Sequence, residues 1–182
     1  MDITLLETQF QTWKGCPLSE KANPVFGEGH FSASVMFIGE APGEQEDKLG
    51  RPFVGAAGKF LDELLSSINL KREDVYITNV VKYRPPANRD PTDLEKDQCM
   101  PWLKLQIALI KPHVIVPLGR HALGHFLSKV TISNAHGKAH RLTDSVTVFP
   151  ICHPAAALHN GGLRQALYDD FKALGEFLKT VN

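Results

Sequence analysis

Three residues that can carry hydrolytic chemistry stand at or just beyond the ends of separate apolar runs. They are the carboxylate of Glu40, the amide of Asn79 and the imidazole of His153, and the glycine-rich loop after Glu40 also carries Phe53. A carboxylate that faces an imidazole across a cleft suits hydrolysis in which positive charge develops on one fragment and negative charge on the other. These residues are therefore the first candidates for an active site.

The apolar runs have the length and flanking residues of buried strands, and helical patterns lie between them. The predicted strands are 34–38, 75–81, 114–119 and 146–150. The predicted helices are one near 5–13, then 55–70, 92–110, 122–127 and 163–178. Strands that alternate with helices predict an α/β sandwich around a parallel sheet, in one domain spanning residues 1–182. Loops at the carboxyl ends of such strands meet at one edge, so we expect Glu40, Asn79 and His153 to lie close together.

Each candidate also has a structural interpretation. Glu40 could cap a helix, Asn79 could form a turn, Phe53 could belong to the core, and His153 could be a hydrogen-bonded structural histidine. Convergence of all four at one sheet edge favours a functional site. The loop after Glu40 contains neither GxGxxG nor GxxxxGK(S/T), and its acids would repel phosphate, so a phosphate cradle of either familiar kind is excluded.

The composition is that of an ordinary soluble globular protein, with 43% hydrophobic and 22% charged residues. No apolar run approaches the roughly 20 residues that span a bilayer, and the first residues lack the layout of a signal peptide. The sequence therefore predicts a cytoplasmic protein without a membrane partner. Cys16, Cys99 and Cys152 are far apart and odd in number, so no disulfide framework is expected.

The net charge is zero, which argues against a strongly basic nucleic-acid binder, but the two halves of the chain differ. Residues 1–97 carry 11 Lys and Arg against 16 Asp and Glu, whereas residues 98–182 carry 9 against 4. Either the acids simply lie on exposed helices of the first half, or the molecule is polar and one face can meet phosphates.

Three segments resemble the motifs of the family 4 uracil-DNA glycosylases. They are VMFIGEAPGEQEDKLGRPFVGAAGKFL, VYITNVVKYRPPANRDP and ICHPAAALHN, and the matching order and spacing extend from about residue 9 to residue 178. The resemblance implies a three-layer α/β/α sandwich with a central four-stranded parallel sheet. It also implies a monomer, associated with the nucleoid, that removes uracil from DNA in base-excision repair without a nucleotide cofactor.

The resemblance assigns roles to the four candidates. Glu40 would position or activate water and offset positive charge at the sugar, and His153 would stabilise charge on the base oxygen. Phe53 would stack on the uracil ring and Asn79 would bond its polar edge. Three further residues of the first segment are expected to contribute to substrate binding: Gly39, Ala41 and Glu46.

Contacts to DNA outside the base pocket are expected from basic and bulky residues. The candidates for phosphate contacts are Lys82, Arg84, Arg89 and Arg164. Ala157 stands where the family would place a bulky wedge in the vacated base stack, so Leu158 or His159 is expected to take that role.

The sequence departs from the family at its four-iron cluster. Two of the four cysteine positions are occupied by Trp13 and Tyr83, and only Cys16 and Cys99 match. Two thiolates cannot hold such a cluster in the usual way, so we expect no cluster and no metal. The alternative is an unusual cluster or metal held by Cys16, Cys99 and a nearby histidine.

Two other functions remain open at this point. A change around Asn79 could favour another deaminated base such as hypoxanthine. A protein that keeps the fold and has lost the cluster could also bind DNA or nucleotides without catalysis.

Overall fold

The computed structural model describes residues 2–158 and 160–181, and it contains one six-stranded sheet in the order β1-β3-β2-β4-β6-β5. The strands are β1 (Glu28–Gly29), β2 (Val35–Gly39), β3 (Tyr76–Asn79), β4 (Val114–Pro117), β5 (His140–Arg141) and β6 (Thr147–Val148). The four central strands are parallel, whereas β1 and β5 pair antiparallel at the two edges. The predicted four-stranded parallel sheet is confirmed as the centre. The edge strands were not predicted from the sequence, because each has two residues and two residues are too few to show the alternating pattern of a strand.

The helices are α1 (Ile3–Thr12), α2 (Glu44–Leu49), α3 (Ala56–Ser67), α4 (Asp93–Ile110), α5 (Arg120–Gly124), α6 (Ile132–Ala135) and α7 (Gly161–Val181). Helices α1, α4 and α5 pack with Met36 and Ile38 on one face of the sheet. Helices α3 and α7 pack with Val35 and Phe37 on the other face. Successive side chains of β2 point to opposite faces and both faces are covered, which explains its continuous apolar run. The three-layer sandwich is thereby confirmed.

The predicted start of α4 is confirmed by a capping box. The Thr92 hydroxyl accepts from Glu95 N (3.3 Å), and the Glu95 carboxylate accepts from Thr92 N (2.8 Å). The helix continues through Pro101 to Ile110, so the proline does not end it. Across the described ranges, none of the helices combines the length and apolar character needed to cross a membrane.

Candidate active site

The carboxyl edge of the parallel sheet carries a cavity of about 340 Å³. Glu40, Phe53, Asn79 and His153 all line it, as do Ala41 and Glu46. The structure thus brings together the candidates predicted from three separate strand ends. Their convergence follows from the parallel order β3-β2-β4-β6, which places the loops after these strands side by side.

Gly39, the last residue of β2, lies against the end of β3. It pairs with Asn79 in the sheet register, and a Cβ at Gly39 would overlap the Asn79 side-chain oxygen and lie 2.6 Å from Phe53 Cζ. Gly39 therefore lets the amide and the aromatic ring approach each other. The pairing continues one residue further, because Val81 N donates to Glu40 O (2.8 Å) and holds the Glu40 backbone at the cavity.

Phe53 is buried and has a φ of 50°, a left-handed conformation that is rare outside glycine. Arg72 holds this turn from one side by donating to the carbonyls of Pro52 (2.6 Å) and Phe53 (3.0 Å). Glu46 holds it from the other side, because its Oε1 accepts from the backbone N–H groups of Val54 and Gly55 (2.8 Å each). Strain of this kind persists only where the surroundings enforce it, so the geometry gives Glu46 a loop-clamping role at the pocket wall.

His153 presents one nitrogen to the site in a defined protonation state. Its Nδ1 accepts from Ala155 N (3.1 Å), which leaves the proton of the neutral ring on Nε2. Burial lowers the pKa of His153 to about 4, although the nearby Glu46 acts in the opposite direction. At neutral pH the ring is thus uncharged and can donate one hydrogen bond from Nε2. It also stacks against the Phe53 ring, with centroids 5.7 Å apart.

Glu40 carries a buried, unpaired carboxylate oxygen. Its Oε1 is shielded from solvent and makes no hydrogen bond within the described part of the chain. Burial raises the pKa of Glu40, and the carboxylate of Asp90 raises it further, whereas His121 acts to lower it. A carboxylate with a free oxygen in a shielded pocket can orient water or interact with a developing cation.

Two residues beside Glu40, His121 and Asp90, were not predicted from the sequence. Asp90 lines the cavity, whereas His121 lines an adjacent cavity that Glu40 and His153 also border. His121 Nδ1 lies 3.4 Å from Glu40 Oε1, too poorly aligned for a hydrogen bond, and its Nε2 lies 3.6 Å from Asp90 Oδ2. Arg120 Nε donates to the same Nε2 (3.1 Å), so the neutral ring carries its proton on the side of Glu40. The signal was present, because His121 follows the end of β4 and the rule of strand ends applies to that strand too.

The phosphate candidates divide into one buried lysine and three paired arginines. Lys82 is fully buried and donates only to protein acceptors, so its prediction as a phosphate contact is wrong. Arg89 lines the cavity and pairs with Glu95 through two bonds (2.6 and 2.8 Å), while Arg84 donates to Asn88 (2.8 Å). Arg164 pairs with Glu63 (2.6 Å) and lies over the Phe60 ring, away from the residues that line the cavity.

The wedge candidates follow a short turn beyond His153. Ala157 is buried, whereas Leu158 is 36% exposed, so Leu158 is the apolar side chain available to a DNA surface. The other candidate, His159, lies outside the described residues.

The residues at the expected cluster site do not fit a four-cysteine cluster. Cys16 and Cys99 are buried there, but the rings of Trp13 and Tyr83 occupy the other two positions with centroids 6.1 Å apart. The Tyr83 hydroxyl donates to Trp13 O (2.7 Å). The centroid of the Phe10 ring lies 5.7 Å from that of Trp13 and 5.5 Å from that of Tyr83. Aromatic packing thus joins α1 to the loop after β3.

Among the residues that the structure describes, two groups of side chains have donor atoms close enough to share a metal ion. One is Glu40, Asp90 and His121 at the carboxyl edge of the sheet, and the other is His136, Cys152 and Asp170. In the second group His136 Nδ1 already lies 2.8 Å from Asp170 Oδ2. This bond accounts for the buried carboxylate without a metal and ties α7 to the turn after α6.

Comparisons with known proteins identify the family of this chain. Residues 26–176 match the family model described as the uracil DNA glycosylase superfamily. A type-4 uracil-DNA glycosylase of Sulfurisphaera tokodaii is 48% identical over 177 residues, covering 92% of this chain and 80% of that protein. Type-4 uracil-DNA glycosylases of Archaeoglobus fulgidus and Thermotoga maritima are 48% and 45% identical, covering 92% and 90% of this chain and 89% and 88% of those proteins. The chain belongs to the uracil-DNA glycosylase superfamily, among the type-4 uracil-DNA glycosylases.

Proposed function

We propose that this protein is a uracil-DNA glycosylase that hydrolyses the bond between uracil and its deoxyribose, leaving an abasic site. The observation that carries the proposal is one cavity lined by a shielded carboxylate, a neutral imidazole, a buried amide and an aromatic ring. The two relatives that are 48% identical and cover 92% of this chain carry the same activity in their names.

The two ionisable groups suit the two charges that this reaction creates. As the glycosidic bond breaks, its electron pair leaves with uracil as an anion and the sugar acquires oxocarbenium character. The Nε2–H of His153 can donate to the base oxygen, and the Glu40 carboxylate can offset the sugar charge and orient the attacking water. Both interactions are stronger in the transition state than in the substrate, which is the condition for catalysis.

Asn79 and Phe53 supply recognition. Uracil offers an acceptor at O4 and a donor at N3, which one fixed amide can match, and Asn79 is buried at the end of β3. Stacking of the flipped base on Phe53 offsets part of the cost of leaving the duplex, at about 1 to 3 kcal/mol per base.

Leu158 is the proposed wedge. Arg84 and Arg89 are the proposed phosphate contacts, once they exchange their present partners for phosphate. The protein is proposed to be a monomer that acts in the cytoplasm on the nucleoid DNA.

The decisive experiment uses a labelled oligonucleotide with one uracil, and alkali cleaves the strand wherever an abasic site has formed. We expect cleavage of the uracil strand and none of matched strands with cytosine or thymine. Intact uracil strands would overturn the proposal, and cleavage only at hypoxanthine would assign the enzyme to that base instead.

Two substitutions beside Glu40 are expected to shift the acidic limb of kcat/KM in opposite directions. Removing the Asp90 charge with Asp90→Asn lowers the pKa of Glu40, so the acidic limb should move to lower pH. Removing the imidazole with His121→Ala raises that pKa, so the limb should move to higher pH. Single-base excision measured from pH 4 to 9 checks both variants. Limbs that move in the same direction would show that another group titrates.

We also propose that the enzyme works without an iron–sulfur cluster, because Trp13 and Tyr83 fill two ligand positions with packed rings. Protein purified without oxygen should be colourless, hold no stoichiometric iron and keep its activity after chelation. Trp13→Ala should lower the free energy of unfolding by about 3 kcal/mol, the low end for an aromatic ring since Trp13 is only partly buried. A brown protein with several irons per chain would contradict the proposal.

A further inference from the structure

Lys82 has a completely buried ammonium group whose three bonds define its charge. Nζ makes three short bonds, 2.6 Å to Thr78 Oγ1, 2.7 Å to Asn79 O and 2.6 Å to Gln106 Oε1, and one longer contact of 3.4 Å to Phe26 O. The Thr78 hydroxyl already donates to Phe26 O (2.7 Å), so it can only accept from Lys82. The other two partners are oxygens without a hydrogen. Three acceptors need three donors, which a lysine has only when it is protonated.

The orientation of the Gln106 amide is settled by its own partners. Its Nε2 donates to Phe26 O (2.9 Å) and contacts the Tyr76 hydroxyl (3.0 Å), which leaves Oε1 for Lys82. The ammonium group thus joins α4, the loop before β1 and the end of β3 in one buried network. Such networks hold their members in a single arrangement when every group is satisfied.

The contact with Asn79 links this network to the base pocket. Asn79 is the last residue of β3, and its carbonyl turns to Lys82 while its side chain packs against Gly39 at the cavity. Val81 N and Val80 N then pair with Glu40 O and Gly39 O. The bond from Lys82 to Asn79 O therefore closes the turn that follows Asn79 and fixes the position of the Asn79 side-chain amide.

We propose that Lys82 is a positioning residue, whose buried ammonium group holds the end of β3 and thereby aligns the Asn79 amide with the base. The inference rests on the proposed function, in which Asn79 reads uracil. It gives a role to a charge that faces no phosphate and forms no ion pair within residues 2–158 and 160–181.

The surroundings of the ammonium group offer no carboxylate partner within residues 2–158 and 160–181. Its titratable neighbours are Cys99 from α4, whose pKa burial raises to about 12, and Tyr76 from β3, whose pKa burial also raises. Both stay uncharged near neutral pH, so neutral oxygen acceptors, and not a counter-charge, hold the ammonium group in place.

The test compares Lys82→Met, which keeps the length of the side chain and removes its donors, with Lys104→Met, which changes an exposed lysine on α4. We expect Lys82→Met to lower kcat for uracil and the uracil-to-cytosine ratio each about tenfold, with little change in KM, since misplacement of a recognition group acts on the transition state. Lys104→Met should match the wild type.

Hydrogen exchange of the DNA-free protein provides a readout that needs no activity. Amides of residues 76–83 should exchange about tenfold faster in Lys82→Met than in the wild type, with no change in β4. Unchanged exchange there, or an unchanged kcat and base ratio in a folded Lys82→Met, would overturn the proposal for Lys82. A wild-type protein that excises no uracil would instead overturn the proposed function, and exchange would still decide whether Lys82 holds the strand end.

Discussion

His153→Ala is expected to slow single-turnover uracil excision by about 10²- to 10³-fold, the range for loss of one donor to a developing oxyanion. The neutral ring donates from Nε2 because Nδ1 is engaged by Ala155 N. Its lowered pKa, about 4, means that this state holds across the neutral range and that the loss should be equally large from pH 6 to 8. Quenched-flow or manual single-turnover assays on a uracil oligonucleotide measure the effect.

Two further variants separate the donor of His153 from its structural contacts. His153→Asn places an acceptor where Nδ1 stands, so it can keep the bond from Ala155 N while removing the Nε2 donor. We expect it to be nearly as slow as His153→Ala but more stable. His113→Ala, at an exposed histidine before β4, should excise at the wild-type rate. A wild-type rate in His153→Asn would show that the ring acts only as a turn former.

Glu40→Gln is expected to slow the same step by about 10- to 10²-fold. The substitution keeps the shape of the side chain and removes the charge, so the sugar cation loses its counter-charge and the water loses its strongest acceptor. Because Glu40 has a raised pKa and acts in its charged form, the variant should lose the part of the acidic limb of kcat/KM that lies above the pKa of His153, which is about 4. Single-turnover rates measured from pH 4 to 9 check both effects.

The control for Glu40→Gln is Glu44→Gln, which removes a half-exposed carboxylate from the first turn of α2. We expect this variant to retain the wild-type rate and the acidic limb. If Glu40→Gln also retains them, Glu40 has no part in the chemical step, and the cavity would have to act through His153 alone.

Convergence of Glu40, Asn79 and His153 could be predicted from the sequence because it depends only on local pattern and on one topological rule. Apolar runs separated by helical periods specify parallel strands, and parallel strands bring the loops after them to one edge. The start of α4 at Thr92 was equally readable, since the capping box lies within four consecutive residues.

The tertiary structure alone decided the inward direction of the Lys82 side chain and the surroundings of Glu40. Lys82 and Arg84 are both basic residues in one loop, yet Lys82 turns inward because Gln106 and Phe26, distant along the chain, supply acceptors inside the fold. His121 and Asp90 reach Glu40 from two other loops, and Phe53 takes its left-handed backbone from the contacts of Arg72 and Glu46. Side-chain direction and electrostatic environment depend on groups that folding brings together, whereas periodicity is carried by neighbours along the chain.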